Sequence, residues 1–378
     1  MKTIKSSKPK YEVIKEELLD RIRNNDFSHD KVFCTEKLLS EQYQVSNITA
    51  KRAITDLEQE GLLYRKRHVG SFVSCNAPAK LMAPVNSASE SKMIAFLLPF
   101  DVAKGYFPQV IETANTILSA NGYLMSLYIS DTSVSKERAY IKSLIAQDIA
   151  GLIFYPVKDK FGLQLMNHFI FSNIPVVMID KVTDNPFIHN VVCDNFEGGR
   201  LLTEHLIGLG HRNIAFITTI VMEEISSVRD RFSGYIYQLK KSDIMPNLDL
   251  IVHYADHADE DDNLDESALF RNTILRLYQS GATAIIAEND HLALQIYHAC
   301  RLLGLRVPED LSICGFDHTE MIQNAEITSI KQDFSALGEQ SCRILLSSIK
   351  NPKAPVQKIT LPVELMIHSS TGAPRHSF

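Results

Sequence analysis

A chain of 378 residues is too long for one small domain and predicts two or three. Its 45% apolar and 22% charged residues are ordinary for a soluble globular protein, and no apolar run reaches the roughly 18–20 residues of a membrane-spanning helix. The net charge of −6 conceals an asymmetry: residues 1–80 carry 15 Lys+Arg against 11 Asp+Glu, and the remainder 24 against 34. A basic head on an acidic body fits a nucleic-acid-binding module joined to something else, although a merely uneven surface gives the same split.

In chain order, Lys10–Asn25 places Tyr11, Ile14, Leu18 and Ile22 at helical spacing. Thr35 stands before Glu36 as an N-cap with an acid in the first turn, opening EKLLSEQYQ with Leu38, Leu39 and Tyr43 as its apolar stripe. Ser46 is a second N-cap candidate. It opens NITAKRAITDLEQEGLL, a longer helix burying Ala50, Ile54 and Leu57, exposing Asn47, Thr49 and Lys51, and stopped at Gly61. Two helices joined by a tight turn are the parts of a helix-turn-helix. LLYRK and SFVS then read as a hairpin around Arg67–Gly70, which completes a winged helix. A helix fits the major groove, and a basic loop beside it reaches phosphates or the minor groove.

The run TEKLLSEQYQVSNITAKRAITDLEQEGLLYRKRHVGSFV resembles the DNA-binding domain of GntR-family transcription regulators, and the match covers most of residues 10–74. The resemblance implies base or phosphate contacts by Lys37, Ser46, Thr49 and Lys51, and by the wing. Asn47 replaces the arginine usual in that family, which leans the operator toward A·T at that position; phosphate contact or solvent is the alternative. Arg52 joins the candidates on the same helix. In the wing, Arg65, Lys66 and Arg67 are candidates for phosphate affinity. His68 stands where the family has glycine and is a candidate for the minor groove, and Gly70 completes the set.

The expected division is a winged-helix domain over 1–75, a linker over 76–92 rich in Ser, Ala, Asn and Pro, and a body over 93–370. The body alternates apolar runs (MIAFLLPF, YLMSLYIS, AGLIFYP, IPVVMID, NIAFITTI, DLIVHY, ATAIIAE, DLSICGF) with amphipathic helices. That pattern predicts an α/β fold of two lobes, each a parallel sheet with helices on both faces. The second lobe is expected to be entered near 191, with crossovers near 318–335 and 355–360. Asp194 and Glu197 form a capping-box pattern for a helix closed by Gly210, and His205 and His211 read as surface or core-edge histidines. Ligands in such sheets bind beyond the carboxyl ends of the strands. Those ends carry Lys104, Phe107, Tyr155, Asp180, Asn289, Asp290 and Asp317. Carboxylates, amides and arginine satisfy sugar hydroxyls while an aromatic face stacks on the ring; any one of these residues could instead be an N-cap, Asp290 above all.

The body resembles the effector domain of LacI/GalR repressors, itself built like periplasmic sugar-binding proteins. The segments DNFEGGRLLTEHLIGLGHRNIAFI, SSVRDRFSGY, TAIIAENDHLAL, GLRVPEDLSICGFD and ITSIKQDFSALGEQ carry that likeness. It implies effector contacts at Ser227, Arg231, Asn289, Asp290 and Asp317, with Gln332 near the hinge and Lys104, Phe107 and Tyr155 completing the pocket. A GntR-like head on a LacI-like body is similar to arabinose-responsive regulators. The expected function is a sugar-responsive repressor: a homodimer that binds double-stranded operator DNA and releases it on binding a sugar, with L-arabinose the first candidate. A purine, nucleoside or phosphorylated sugar is the alternative effector, and an activator the alternative role; the lack of an obvious Lys/Arg cluster at the strand ends speaks weakly against a phosphorylated effector. No G-x-x-x-x-G-K-[ST], G-x-G-x-x-G or G-x-S-x-G motif supports an enzyme, so none is expected. Six scattered cysteines without CxxC or Cys/His spacing point away from a metal or cofactor. With no apolar signal core at the start, they predict a reducing cytoplasm.

Overall fold

The computed structural model describes residues 9–23, 26–27, 32–59, 62–66, 69–74, 92–100, 107–147, 149–158, 163–253 and 266–375. The chain divides into two compact units between Glu90 and Ser91.

In the first unit α1 (Lys10–Arg23), α2 (Glu36–Tyr43) and α3 (Asn47–Gln59) precede an antiparallel hairpin of β1 (Leu63–Lys66) and β2 (Gly70–Val73). Ile14, Leu18 and Ile22 recur at i, i+4 and i+8, so α1 buries one stripe against Leu39, Tyr43, Ala50, Ile54 and Leu57. The Thr35 hydroxyl accepts from the Leu38 amide at 3.1 Å and fixes the start of α2. Leu38 itself lies outside the core, 52% exposed, because its position on α2 turns it away from α1 and α3; the stripe there is Leu39 and Tyr43. Gly70 is required by close approach. A Cβ on it would stand 2.5 Å from Val32 Cγ1, and its φ of 145° is one that few side chains tolerate. That approach lets the Ser71 carbonyl accept from the Phe33 and Cys34 amides and the Ser71 N–H donate to the Cys34 carbonyl.

The second unit contains two six-stranded sheets. The first lobe orders β13 (Lys358–Leu361), β7 (His189–Cys193), β6 (Val176–Ile179), β5 (Ile149–Phe154), β3 (Met93–Leu98) and β4 (Leu124–Ile129), every pairing parallel. Its faces are covered by α4 (Phe107–Ala120) and α11 (Phe334–Lys350) on one side, and by α5 (Val134–Ile145) and α6 (Leu163–Phe171) on the other. The second lobe orders β14 (Val363–Met366), β12 (Thr328–Gln332), β11 (Ser312–Asp317), β10 (Ala284–Ala287), β8 (Ile214–Thr218) and β9 (Ile251–His253). Only the edge pair β12–β14 is antiparallel there among the described residues. Its helices are α7 (Asn195–Gly208) and α8 (Ser226–Lys241) on one face, α9 (Glu266–Gln279) and α10 (Asp290–Leu302) on the other.

Three crossings join the lobes: after β7 at Asp194, after β12 at Asp333, and between β13 and β14 at Pro362. Asp194 and Asp333 cap the helices that leave the first two crossings, accepting from the Glu197 and Ala336 amides at 2.9 and 2.8 Å. The Glu197 carboxylate pairs with Arg200 rather than closing the box. His211 is fully buried, bonded to the Thr283 hydroxyl and the Gly372 carbonyl; burial lowers its pKa and keeps the ring neutral.

The packing of α7 on α8 positions the site described next. A Cβ on Gly199 would lie 2.0 Å from the Arg231 carbonyl oxygen, and one on Gly234 would lie 2.1 Å from the Phe196 carbonyl oxygen. Backbone therefore rests on backbone where these helices meet.

Candidate functional site

The head offers a polar, cationic face. Lys37 on α2 and Asn47, Lys51 and Arg52 on α3 are exposed. Ser46 and Thr49 are held together: their hydroxyls lie 2.9 Å apart and the Thr49 amide donates to Ser46 Oγ at 3.3 Å. They stiffen the first turn of α3 rather than standing out from it. The Arg52 guanidinium lies 3.9 Å from the centroid of the Tyr11 ring, which steadies it as a cation–π pair.

Arg65, expected to supply phosphate affinity from the wing, belongs to a surface ion-pair cluster. Its Nε donates to Glu58 at 3.0 Å and its Nη1 to Glu36 at 3.1 Å, so two carboxylates already occupy the guanidinium. Lys66 Nζ lies 4.6 Å from the Phe72 ring centroid. Gly70 serves the close approach described above. Arg67 and His68 lie outside the described residues.

In the body, the strands of both lobes end at one cavity of about 420 Å³. Tyr155, Asp180, Ser227, Arg231, Asn289 and Asp317 line it, as does Phe100. Burying Arg231 requires partners for its guanidinium, and the second lobe supplies them. Nε donates to Asn195 Oδ1 at 2.8 Å, Nη1 to the Glu288 carbonyl, and Nη2 to Asp317 Oδ1 at 3.4 Å, with the Phe316 ring centroid 3.7 Å beneath. Gln332 Nε2 donates to the same Asp317 oxygen at 2.6 Å. Burial raises the Asp317 carboxyl to about 8 against the opposing pull of Arg231. Asp180 and Asp317 both adopt positive φ, 66° and 105°, at the ends of β6 and β11. Backbone held in this region costs of order 1–3 kcal/mol per residue, and such residues cluster where side-chain direction matters.

Three expected contacts are placed behind the wall rather than on it. Phe107 is buried with its ring centroid 5.6 Å from Tyr155 and 6.0 Å from Phe100, so it backs the aromatic wall. Asp290 has both oxygens consumed. Oδ1 accepts from Ser329 Oγ at 2.6 Å, and Oδ2 accepts from the Thr319 amide at 2.6 Å and its hydroxyl at 3.0 Å. It ties α10 to the segment after β11, and burial raises its carboxyl to about 6. Gln332 reaches the cavity only through Asp317. Lys104 lies outside the described residues. Asn289 lines the cavity and also caps α10, its Oδ1 accepting from the Leu292 amide at 2.9 Å.

Residues 10–73 match the bacterial regulatory proteins of the gntR family, and residues 203–371 match the periplasmic binding protein-like domain. The chain is 29% identical to the arabinose metabolism transcriptional repressor of Geobacillus stearothermophilus, covering 96% of this chain and 98% of that one. The arabinose metabolism transcriptional repressor of Halalkalibacterium halodurans is 26% identical, covering 96% of each. Among solved structures, a LacI family transcriptional regulator from Enterococcus faecium with bound ribose is 25% identical. Its TM-score is 0.64, over 75% of this chain and 100% of that one.

The periplasmic-binding-protein-like body also takes part of its cavity wall from residues that sequence does not single out. Lys158 of the first lobe pairs with Glu224 of the second across the rim, and both are about half exposed. The Val182 amide donates to Ser226 Oγ at 2.8 Å, and Ser227 Oγ donates to Asp180 at 3.4 Å, so the start of α8 is bound to the first lobe. Within the first lobe the Val157 peptide is clamped on both sides. Its N–H donates to Glu137 Oε2 at 2.7 Å, and its carbonyl accepts from Lys181 Nζ at 2.7 Å. Glu137 is fully buried and burial raises its carboxyl to about 7. The strand-end rule reaches Phe100 and Lys181; nothing local in the sequence marks Glu137, which works through a peptide twenty residues away.

Proposed function

We propose that this chain is a sugar-responsive transcription repressor whose GntR-type head binds operator DNA and whose body binds the effector in the cavity between its lobes. The observation that carries the effector class is the balance of the cavity wall. Lys158, Lys181, Arg231, Asp180, Glu224, Asn289 and Asp317 line it beside an aromatic wall of Phe100 and Tyr155. Such a wall offers both hydrogen-bond donors and acceptors, which suits a neutral polyhydroxylated ring stacked on an aromatic face. It disfavours a phosphorylated sugar, because the cations already have partners: Lys158 has Glu224, Lys181 the Val157 carbonyl, and Arg231 Asn195, the Glu288 carbonyl and Asp317. L-arabinose is the first candidate, supported by the names of the arabinose repressors to which the chain is similar; the relative with bound ribose supports a monosaccharide.

Two copies joined through their bodies would present two heads to the half-sites of a pseudo-palindrome. Effector binding that changes the relation of the lobes would then weaken operator binding, a coupling of about 1–3 kcal/mol, or roughly 5–150-fold. The test is a thermal-shift panel of L-arabinose, D-ribose, D-xylose, D-galactose, adenosine and glucose 6-phosphate, followed by operator release with each binder. A neutral monosaccharide should raise the melting temperature and release DNA. Stabilisation by adenosine or the phosphate ester alone would overturn the effector class.

A further inference from the structure

Among the described residues of the head, Ile14, Leu18, Ile22, Leu39, Ile54 and Leu57 are each at most 1% exposed, whereas Val32, Leu38 and Val69 are about half exposed. Ile48 is 81% exposed. A single apolar side chain on a surface usually means nothing. Here its place and its company both count. It stands in the first turn of α3, directly after Asn47, and Lys51 and Arg52 follow it at i+3 and i+4 on the same helical face. Lys37 of α2 is exposed as well. The neighbouring hydroxyls of Ser46 and Thr49 are engaged with each other, which leaves Asn47 and Ile48 as the side chains that project from this turn.

Cations around the turn suit phosphates, and asparagine suits the N6/N7 edge of adenine. Among the groups that a base pair shows in the major groove, one is apolar: the C5-methyl of thymine. We propose that Ile48 is a base-reading residue that recognises a thymine through its 5-methyl group, next to the base addressed by Asn47. The inference rests on the head being a DNA-binding module. It adds to that reading a specific chemical group on the DNA and a residue that contributes no hydrogen bond and no charge. Covering one methyl group is worth about 0.8 kcal/mol, roughly a fourfold change in affinity, and a full base discrimination about 1–3 kcal/mol.

The experiment uses the full-length chain. Duplexes that it binds are selected from a randomised library, and each thymine of the selected half-site is replaced in turn by deoxyuridine, which keeps pairing and O4 but lacks the methyl. At one thymine the replacement should weaken wild-type binding by roughly four- to tenfold. In Ile48→Ala the same replacement should have no effect, while the slope of affinity against salt stays unchanged because no phosphate contact is lost. Leu38→Ala, a second exposed aliphatic residue of the head, should keep the full thymine sensitivity. Equal deoxyuridine penalties in wild type and Ile48→Ala, or no penalty at any thymine, would overturn the inference while leaving DNA binding intact. Failure to select any duplex would overturn the DNA-binding reading and this inference with it.

Discussion

The two lobes of the body share a sheet architecture but prepare the cavity differently. The second lobe is a socket of polar groups already satisfied by one another: Arg231 by Asn195, Glu288 and Asp317, Asp317 by Gln332, and Asp290 by Thr319 and Ser329. The first lobe supplies an aromatic wall and a peptide held by Glu137 and Lys181. The second lobe therefore has its hydrogen-bond directions fixed before a ligand arrives, which limits the reorganisation that binding must impose. The first lobe contributes shape, and its contacts tolerate small changes of angle. Specificity for hydroxyl pattern should reside in the second lobe, and general affinity for a sugar ring in the first.

The largest expected effect tests the socket. Arg231→Ala leaves Asp317 and Asn195 without their buried partner and should lower effector affinity at least about 100-fold by calorimetry. Operator binding without effector should persist; a mutant that still releases DNA normally would break the comparison. Asp290→Asn comes next. It should destabilise the body by about 1–3 kcal/mol in denaturant unfolding, through the lost bonds to Thr319 and Ser329, yet change effector affinity less than threefold. Tyr155→Leu keeps the wall apolar but removes the ring face. Affinity should fall about five- to tenfold for every sugar that binds, with the ranking among sugars preserved.

The smallest effect concerns Glu137. Its carboxyl is raised from the ordinary range to about 7 because burial penalises the ionised form. That penalty is absent below about pH 4.5, grows as pH rises, and is complete above about pH 7. Glu137→Gln removes it while retaining an acceptor for the Val157 amide. The variant should therefore melt a few degrees above wild type at pH 8, with the gap closing toward pH 4.5. A gap independent of pH would show that the proton at Glu137 does not matter to the first lobe.

Much of this was legible because the strand-end rule is local. Asp180, Asn289 and Asp317 follow apolar runs directly, and Ser227 and Arg231 sit in a segment resembling LacI-type domains. Asp290 shows where the rule fails, since a strand-end carboxylate can serve the cavity or its scaffold and only its partners decide. The strands missing from the sequence pattern, HNVVC, TSIKQ, KITL and VELM, are short and partly polar, and they are those adjoining the three crossings. Their register depends on neighbours far away in the chain, so periodicity carries little of it. Glu137 and the Lys158–Glu224 pair are invisible for the same reason. In the head, sequence shows the charge of Arg65 but not the two glutamates that fold beside it.

Gly199 and Gly234 do not line the cavity between the lobes, yet the helix bearing Ser227 and Arg231 can occupy its seat only while both positions lack a methyl group. A genetic hunt for strains that stay switched off in the presence of sugar should thus return alanine alleles at these two codons, alongside those at Arg231. Such alleles would map to a helix junction rather than to the binding chemistry, and their inheritance would trace how one arginine is aimed.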